Sequence, residues 1–234
     1  MDLIFPPKCP FCRKILYHAG ICADCQESLP WLDERENLIK DPDGFSCAGA
    51  LRYESAVREA LLRLKFEGAI EIADPLGVIL AQAAAEIFYS EFDIITWIPV
   101  SAERKAKRGY DQSKLLAESM CRVWGVKPVC LLKKIRNNPA QSALPGEKPE
   151  LRESNVRGVY EIMPGAEITG KRVLLIDDIR TTGATLREAR RVLMTNGAAS
   201  VRAAVIALAG KKSGRKSGKA SRPLEKPGKI FHAM

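Results

Sequence analysis

The stretch VLLIDDIRTTGATLREA, Val173 to Ala189, ends an apolar run in two adjacent carboxylates and follows them with two threonines and a glycine before a helical pattern begins. Asp177 and Asp178 repel each other and lose hydration at the end of a buried strand, so a cation or a ligand offering hydroxyl hydrogens must compensate them. Thr181, Thr182, Gly183, Ala184 and Thr185 supply the complement. Where such a turn opens a helix, the first N–H groups have no internal partner. Gly183 lets the backbone approach a ligand, and three threonine hydroxyls add donors, so the stretch makes an anion cradle. Carboxylates for hydroxyls beside a cradle for phosphate predict a ribose 5-phosphate with free 2′ and 3′ hydroxyls. Simple capping needs one such side chain, not five in succession. A receiver-type acid pair would lie near the first strand without a Thr/Gly cradle, and no G-x4-G-K-[ST] phosphate loop occurs in the chain.

A second constellation is CPFCRKILYHAGICADC, in which Cys9, Cys12, Cys22 and Cys25 are spaced C-x2-C-x9-C-x2-C. Two such knuckles joined by a short hairpin, with Gly20 free to turn, place four thiolates around one tetrahedral zinc ion. Four sulfurs close the shell, so the zinc is structural and holds together a stretch too short to have its own core. Buried or redox-active thiols are the alternative, but core cysteines do not pair at this spacing twice in succession. His18 lies between the knuckles and could replace a ligand, but reads first as a surplus hairpin residue. Cys47, Cys121 and Cys130 sit in apolar runs and read as small buried hydrophobes.

The third is basic. WIPVS is followed by ERKAKRGYDQ, which brings Arg104, Lys105, Lys107 and Arg108 within five residues. Such a run is commonly a solvated face. Just after a ligand-binding strand end, it is also suited to be a mobile loop that closes over a diphosphate.

The elements that must position these groups alternate. SCAGALRY, FDIITWIPV, PVCLLKKI, GVYEI, KRVLLIDD and VRAAVIALA read as strands. SAVREALLRLKF, IADPLGVILAQAAAEIFY, DQSKLLAESMCRVWG (opened by Asp111, closed near Gly125) and TGATLREARRVLMTNG read as helices. A polar, Pro-rich loop runs from Asn137 to about Pro149. Alternating strands and helices predict an α/β fold, a parallel sheet with helices on both faces, whose carboxyl edge is where ligands bind.

At 234 residues and 46% hydrophobic, the chain can bury one domain plus a small appendage. The reading is a zinc-binding module over 1–44, a ligand-binding domain over 45–210 and a basic tail over 211–234. The formal charge is +9, but the tail holds eight Lys or Arg against Glu225, leaving +2 for everything before it. That tail is rich in Gly, Ser and Pro, has no apolar period, and is expected to be disordered. It either solubilises the chain or contacts nucleic-acid phosphates. No apolar run approaches the roughly 18 residues of a membrane span, and no signal-peptide pattern opens the chain. The expectation is a cytoplasmic protein without membrane insertion.

VLLIDDIRTTGATL resembles the phosphoribosyl pyrophosphate (PRPP) loop of the type I phosphoribosyltransferases. The four-cysteine knuckle, LRLKFEG (62–68), WIPVSAERKAKRGYDQSKLLA (97–117), PAQSAL (139–144) and RESNVRGVY (152–160) are together similar to the ComF (GntX-like) family of competence-associated homologues. Asp111 stands where many relatives carry Asn. The resemblance implies a type I phosphoribosyltransferase-like fold with PRPP and Mg²⁺ as ligands. It assigns Asp177 and Asp178 to the ribose hydroxyls, Thr181 to Thr185 to the 5-phosphate, and Val100, Ser101, Arg104 and Lys105 to the diphosphate. Arg108 joins the two acids in the chemical step. It also implies a part in DNA uptake during natural transformation, with single-stranded DNA or the competence machinery as partner. The acceptor is not legible, and a non-catalytic PRPP-sensing or DNA-handling role is the alternative.

Overall fold

The structure is a computed structural model and describes residues 6–88, 91–136 and 156–210. Residues 137–155 and 211–234 lie outside the described residues, and with them the expected loop from Asn137 to about Pro149, its PAQSAL motif and the expected basic tail.

The chain opens with the cysteine hairpin and a short helix α1 (Ala23–Ser28), then β1 (Leu38–Lys40), β2 (Ser46–Arg52) and α2 (Ser55–Phe66). A 3-10 turn (Ile70–Ile72) leads into α3 (Ala73–Phe88), followed by β3 (Ile94–Trp97), α4 (Ala102–Arg108) and α5 (Gln112–Trp124). β4 (Leu132–Lys134), β5 (Tyr160–Ile162), β6 (Arg172–Arg180), α6 (Ala184–Thr195) and β7 (Ser200–Leu208) complete it. The sheet runs in the order β1-β2-β7-β6-β3; β2, β7, β6 and β3 are parallel, and β1 is an antiparallel edge.

The continuous apolar runs of the central strands follow from burial on both faces. In β6, Leu174 and Ile176 join a core with α2, α3 and α5, whereas Val173 and Leu175 join the opposite core with α6. β7 divides the same way, Ala204 and Ile206 against Ala203 and Val205. α3 lies close on α5 because residue 77 is glycine; a Cβ there would meet Ser119 Cβ at 2.4 Å and the backbone of Ser119 and Met120 at 2.8 Å.

Three expectations change. The basic run over 102–108 is a helix rather than a loop, capped by Ser101 and ended by Gly109 at φ 83°. It buries no residue, so it carries no apolar period. β4 and β5 do not enter the main sheet but pair with each other, antiparallel, as a separate ribbon; a short apolar run does not encode its partner. Cys130 is exposed, in contrast to Cys47 and Cys121, which are fully buried.

Candidate functional site

β6 continues past the acids to Arg180, pairing Asp177 with Val205 and Arg180 with Leu208 of β7. Asp177 and Asp178 therefore lie inside the last turns of the pleat, near the carboxyl edge, and are 8% and 3% exposed. Strand alternation sends them to opposite faces. Asp178 falls in the register of Leu174 and Ile176, beneath α2, and its Oδ2 is met by Lys65 Nζ at 2.7 Å. Asp177 Oδ1 accepts from Ser113 Oγ at 2.8 Å and from the Asp178 N–H at 2.9 Å. Burial first, and the charge of Asp178 second, push the Asp177 carboxyl well above its ordinary range, against the opposing pull of Lys65 and Ser113. Burial alone would lower the Lys65 ammonium, but Asp178 and then Asp177 outweigh it and hold it above its usual value.

The cradle follows at once. Gly183, at φ 79° and ψ 1°, is the N-cap of α6 in a left-handed conformation that favours glycine. Behind it lies the Arg180 guanidinium, 3.1 Å from where a Cβ on Gly183 would stand. Arg180 is buried and pairs with Asp41 at 2.5 Å, while Arg190 pairs with Asp43. Arg187 Nη1 donates to the Thr182 carbonyl at 2.9 Å. The turn between β1 and β2 thus braces the turn over 181–185 from behind.

One cavity of about 690 Å³ joins these parts. Of the residues predicted from sequence, Val100, Arg104, Arg108, Asp177, Asp178 and Thr181 to Thr185 line it. Ser101 and Lys105 do not. The Ser101 side chain is buried and accepts from the Arg104 N–H at 3.4 Å as the cap of α4, and Lys105 lies on an exposed face. The Val100 N–H already donates to Asp111 Oδ2 at 3.1 Å, and Asp111 Oδ1 caps α5 through the Lys114 N–H at 3.2 Å. Lys107 takes the place of Lys105 in the wall. Sequence reasoning missed Tyr53, Arg58, Lys65, Ser113, Lys134, Tyr160 and Arg180, all of which line the cavity. Seven cations against two acids give the cavity a positively charged lining, complementary to a polyanion.

The C-terminal turn of α2 ties the parts together. Arg63 donates to the Pro10 carbonyl inside the first cysteine knuckle. The Leu64 carbonyl accepts from Tyr110 Oη at 2.6 Å. Lys65 holds Asp178, and the Arg108 guanidinium lies over the Phe66 ring at 4.8 Å. Burial, then the charge of Arg104, lowers the Arg108 guanidinium from its usual value.

At the other end of the hydrogen bond from Arg63, the side-chain ligand atoms of Cys9, Cys12, Cys22 and Cys25 lie within 4.8 Å of one another. Cys12 Sγ and Cys22 Sγ are 3.5 Å apart, close to the roughly 3.8 Å edge of a tetrahedron built on Zn–S bonds of about 2.3 Å. Burial would raise the Cys9 thiol, but N–H groups of Cys12, Cys22 and Phe11 bring it down to about 7, toward the thiolate a metal requires. The residues present therefore fit a structural zinc. The module is not independent of the rest: Cys9, Phe11, Cys25 and Trp31 belong to the same core as α2 and α3.

No helix among the described residues is long and apolar enough to cross a membrane. Against known proteins, the phosphoribosyl transferase domain matches residues 106–233 and the double zinc ribbon domain matches residues 1–36. Competence protein ComFC of Bacillus subtilis (strain 168) is 28% identical over 193 residues, spanning 82% of this chain and 73% of its own. Competence protein ComFC of Streptococcus pneumoniae (strain ATCC BAA-255 / R6) is 28% identical over 194 residues, spanning 83% and 77%. DNA utilization protein YhgH of Escherichia coli (strain K12) is 26% identical over 207 residues, spanning 82% and 80%. The chain belongs to the phosphoribosyl transferase domain family, as a ComF-type member carrying an N-terminal zinc ribbon.

Proposed function

We propose that the protein binds PRPP with Mg²⁺ and transfers its 5-phosphoribosyl group to an acceptor, releasing pyrophosphate. The observation that carries this reading is the shared cavity. The acid pair, the Gly183 cradle and a cationic wall face one space of about 690 Å³, in the range of small-molecule sites.

In the reaction the bond from the anomeric carbon to the diphosphate breaks, its electron pair leaves with the diphosphate, and the acceptor's pair forms the new bond. Positive charge grows on the ribose as the old bond lengthens. Asp177 and Asp178 hold the 2′ and 3′ hydroxyls and favour that charge. Thr181 to Thr185 and the N-terminus of α6 fix the 5-phosphate. Arg104, Lys107 and Arg108 neutralise the departing diphosphate. Mg²⁺ carried on the diphosphate oxygens would add charge neutralisation there. No covalent nucleophile is required.

The test is calorimetric titration of the full chain with PRPP and Mg²⁺, followed by pyrophosphate release across a panel of acceptors. Saturable binding is expected, lost in the Asp177→Asn, Asp178→Asn double variant. Absence of binding by the wild-type chain would remove the reading.

The names of the relatives favour a second reading, in which the pocket senses PRPP and the protein handles single-stranded DNA in competence or DNA utilisation. The eight basic residues after Gly210 give it an electrostatic handle. Full-length protein should then bind a single-stranded oligonucleotide with a steep salt dependence that a chain ending at Ala209 lacks. Equal, negligible binding by both would set the DNA arm aside.

A further inference from the structure

The Asp178 carboxylate assigned to a ribose hydroxyl is already engaged. Lys65 Nζ stands 2.7 Å from Asp178 Oδ2, with Asp178 5% exposed and Lys65 27% exposed at the side chain. A diol that reaches this buried carboxylate competes with the ammonium for its lone pairs. The lysine therefore has to share the carboxylate or give it up when the sugar binds.

Its alternative position is supplied by its surroundings. Lys65 lines the same cavity as Arg104, Lys107 and Arg108. The residue next to it, Phe66, carries the Arg108 guanidinium on its ring, and Arg108 in turn feels the charge of Asp178. An ammonium on a flexible four-carbon stem, lining one cavity with those cations, shares their positive field. Once a diphosphate lies against the cluster, the sign of that field reverses.

Resting on the reading above, we infer that Lys65 is a two-position ligand: the resident counter-ion of Asp178 in the free protein, and a direct ligand of the diphosphate once sugar and diphosphate are bound. Binding the diol and binding the leaving group are then one exchange. The cation that would oppose positive charge on the ribose is moved to the side where negative charge develops.

The inference predicts different responses to two probes that a merely structural lysine would not separate. Full-length wild-type, Lys65→Met and Lys65→Arg proteins are titrated with ribose 5-phosphate and, separately, with inorganic pyrophosphate, both with Mg²⁺. Thermal unfolding of each variant checks that it is folded. In Lys65→Met, pyrophosphate affinity should fall at least tenfold. Ribose 5-phosphate affinity should stay within twofold of wild type or rise, because the diol no longer competes with an ammonium. Lys65→Arg should keep pyrophosphate affinity within about threefold. A parallel loss of both ligands in Lys65→Met, or unchanged pyrophosphate affinity, overturns the inference. A Lys65→Met chain that does not fold leaves the decision to Lys65→Arg and to a competition on the wild-type chain. Saturating ribose 5-phosphate should tighten pyrophosphate binding by freeing the lysine, and no tightening overturns the inference. Failure of the wild-type chain to bind either probe speaks instead against the phosphoribosyl reading itself.

Discussion

The zinc knuckle and the acid pair meet the same electrostatic difficulty in different ways. Each crowds groups that repel when ionised into a space with little water, four sulfurs within 4.8 Å in one case and two buried carboxyls in the other. In the knuckle, backbone N–H groups lower the Cys9 thiol while burial raises those of Cys22 and Cys25, and the charge of the four sulfurs is left to a metal ion. The acid pair brings its own cation, Lys65, from an element 113 residues away in sequence. The first arrangement suits permanent occupancy, because the ion is part of the fold. The second suits exchange, because a tethered ammonium can be displaced without leaving the molecule.

The largest expected effect lies on the metal side. Cys22→Ser should lower zinc content, measured by atomic emission, from one ion per chain to below a fifth. It should also expose Trp31, whose fluorescence reports the shared core. Retention of zinc and of the wild-type melting temperature would break the contrast.

A variant that touches neither cluster sharpens it. Gly77→Ala forces a Cβ against the Ser119 backbone, and overpacking of this kind costs about 1–3 kcal/mol. Chemical denaturation should show that loss while zinc content and ribose 5-phosphate affinity stay unchanged.

On the carboxylate side, Asp178→Asn removes the charge that pairs with Lys65 and one of the two oxygens proposed to accept from a ribose hydroxyl. A tenfold loss of ribose 5-phosphate affinity is expected by calorimetry, equivalent to about 1.4 kcal/mol. The smallest effect is a pH-dependent one. The folded state raises the Asp177 carboxyl above its unfolded value. The stability this provides is full at low pH and is lost as pH rises from about 4 through the folded value. Asn keeps an oxygen to accept from Ser113 and from the Asp178 N–H without that loss. Asp177→Asn should therefore melt higher than wild type at pH 8, with the gain shrinking toward pH 5. A constant difference across that range would show that Asp177 does not ionise there.

Much of this was readable in the sequence because it is local. The span of α2, the Asp111 cap and Gly125 end of α5, the cysteine spacing and the acid-plus-cradle run of β6 are all encoded within a few residues of one another. α4 was not found because a helix that buries nothing has no apolar face; its signals were Ser101 and Gly109, at the ends of a run read for its charge. Lys65 stayed hidden inside a helical repeat, since its partner is fixed only when α2 packs across β6. Arg180 was equally silent, because its partner Asp41 lies in a turn far upstream.

The last turn of α2 places a practical limit on how this chain can vary. Residues 63 to 66 make four separate attachments, to the knuckle, to Tyr110, to Asp178 and to Arg108. Each residue in a helix advances about 100° around the axis. One residue gained or lost just ahead of Arg63 would turn the side chains of Arg63, Lys65 and Phe66 and the Leu64 carbonyl away from their partners together. Substitutions can be absorbed there one at a time, but a change of length cannot.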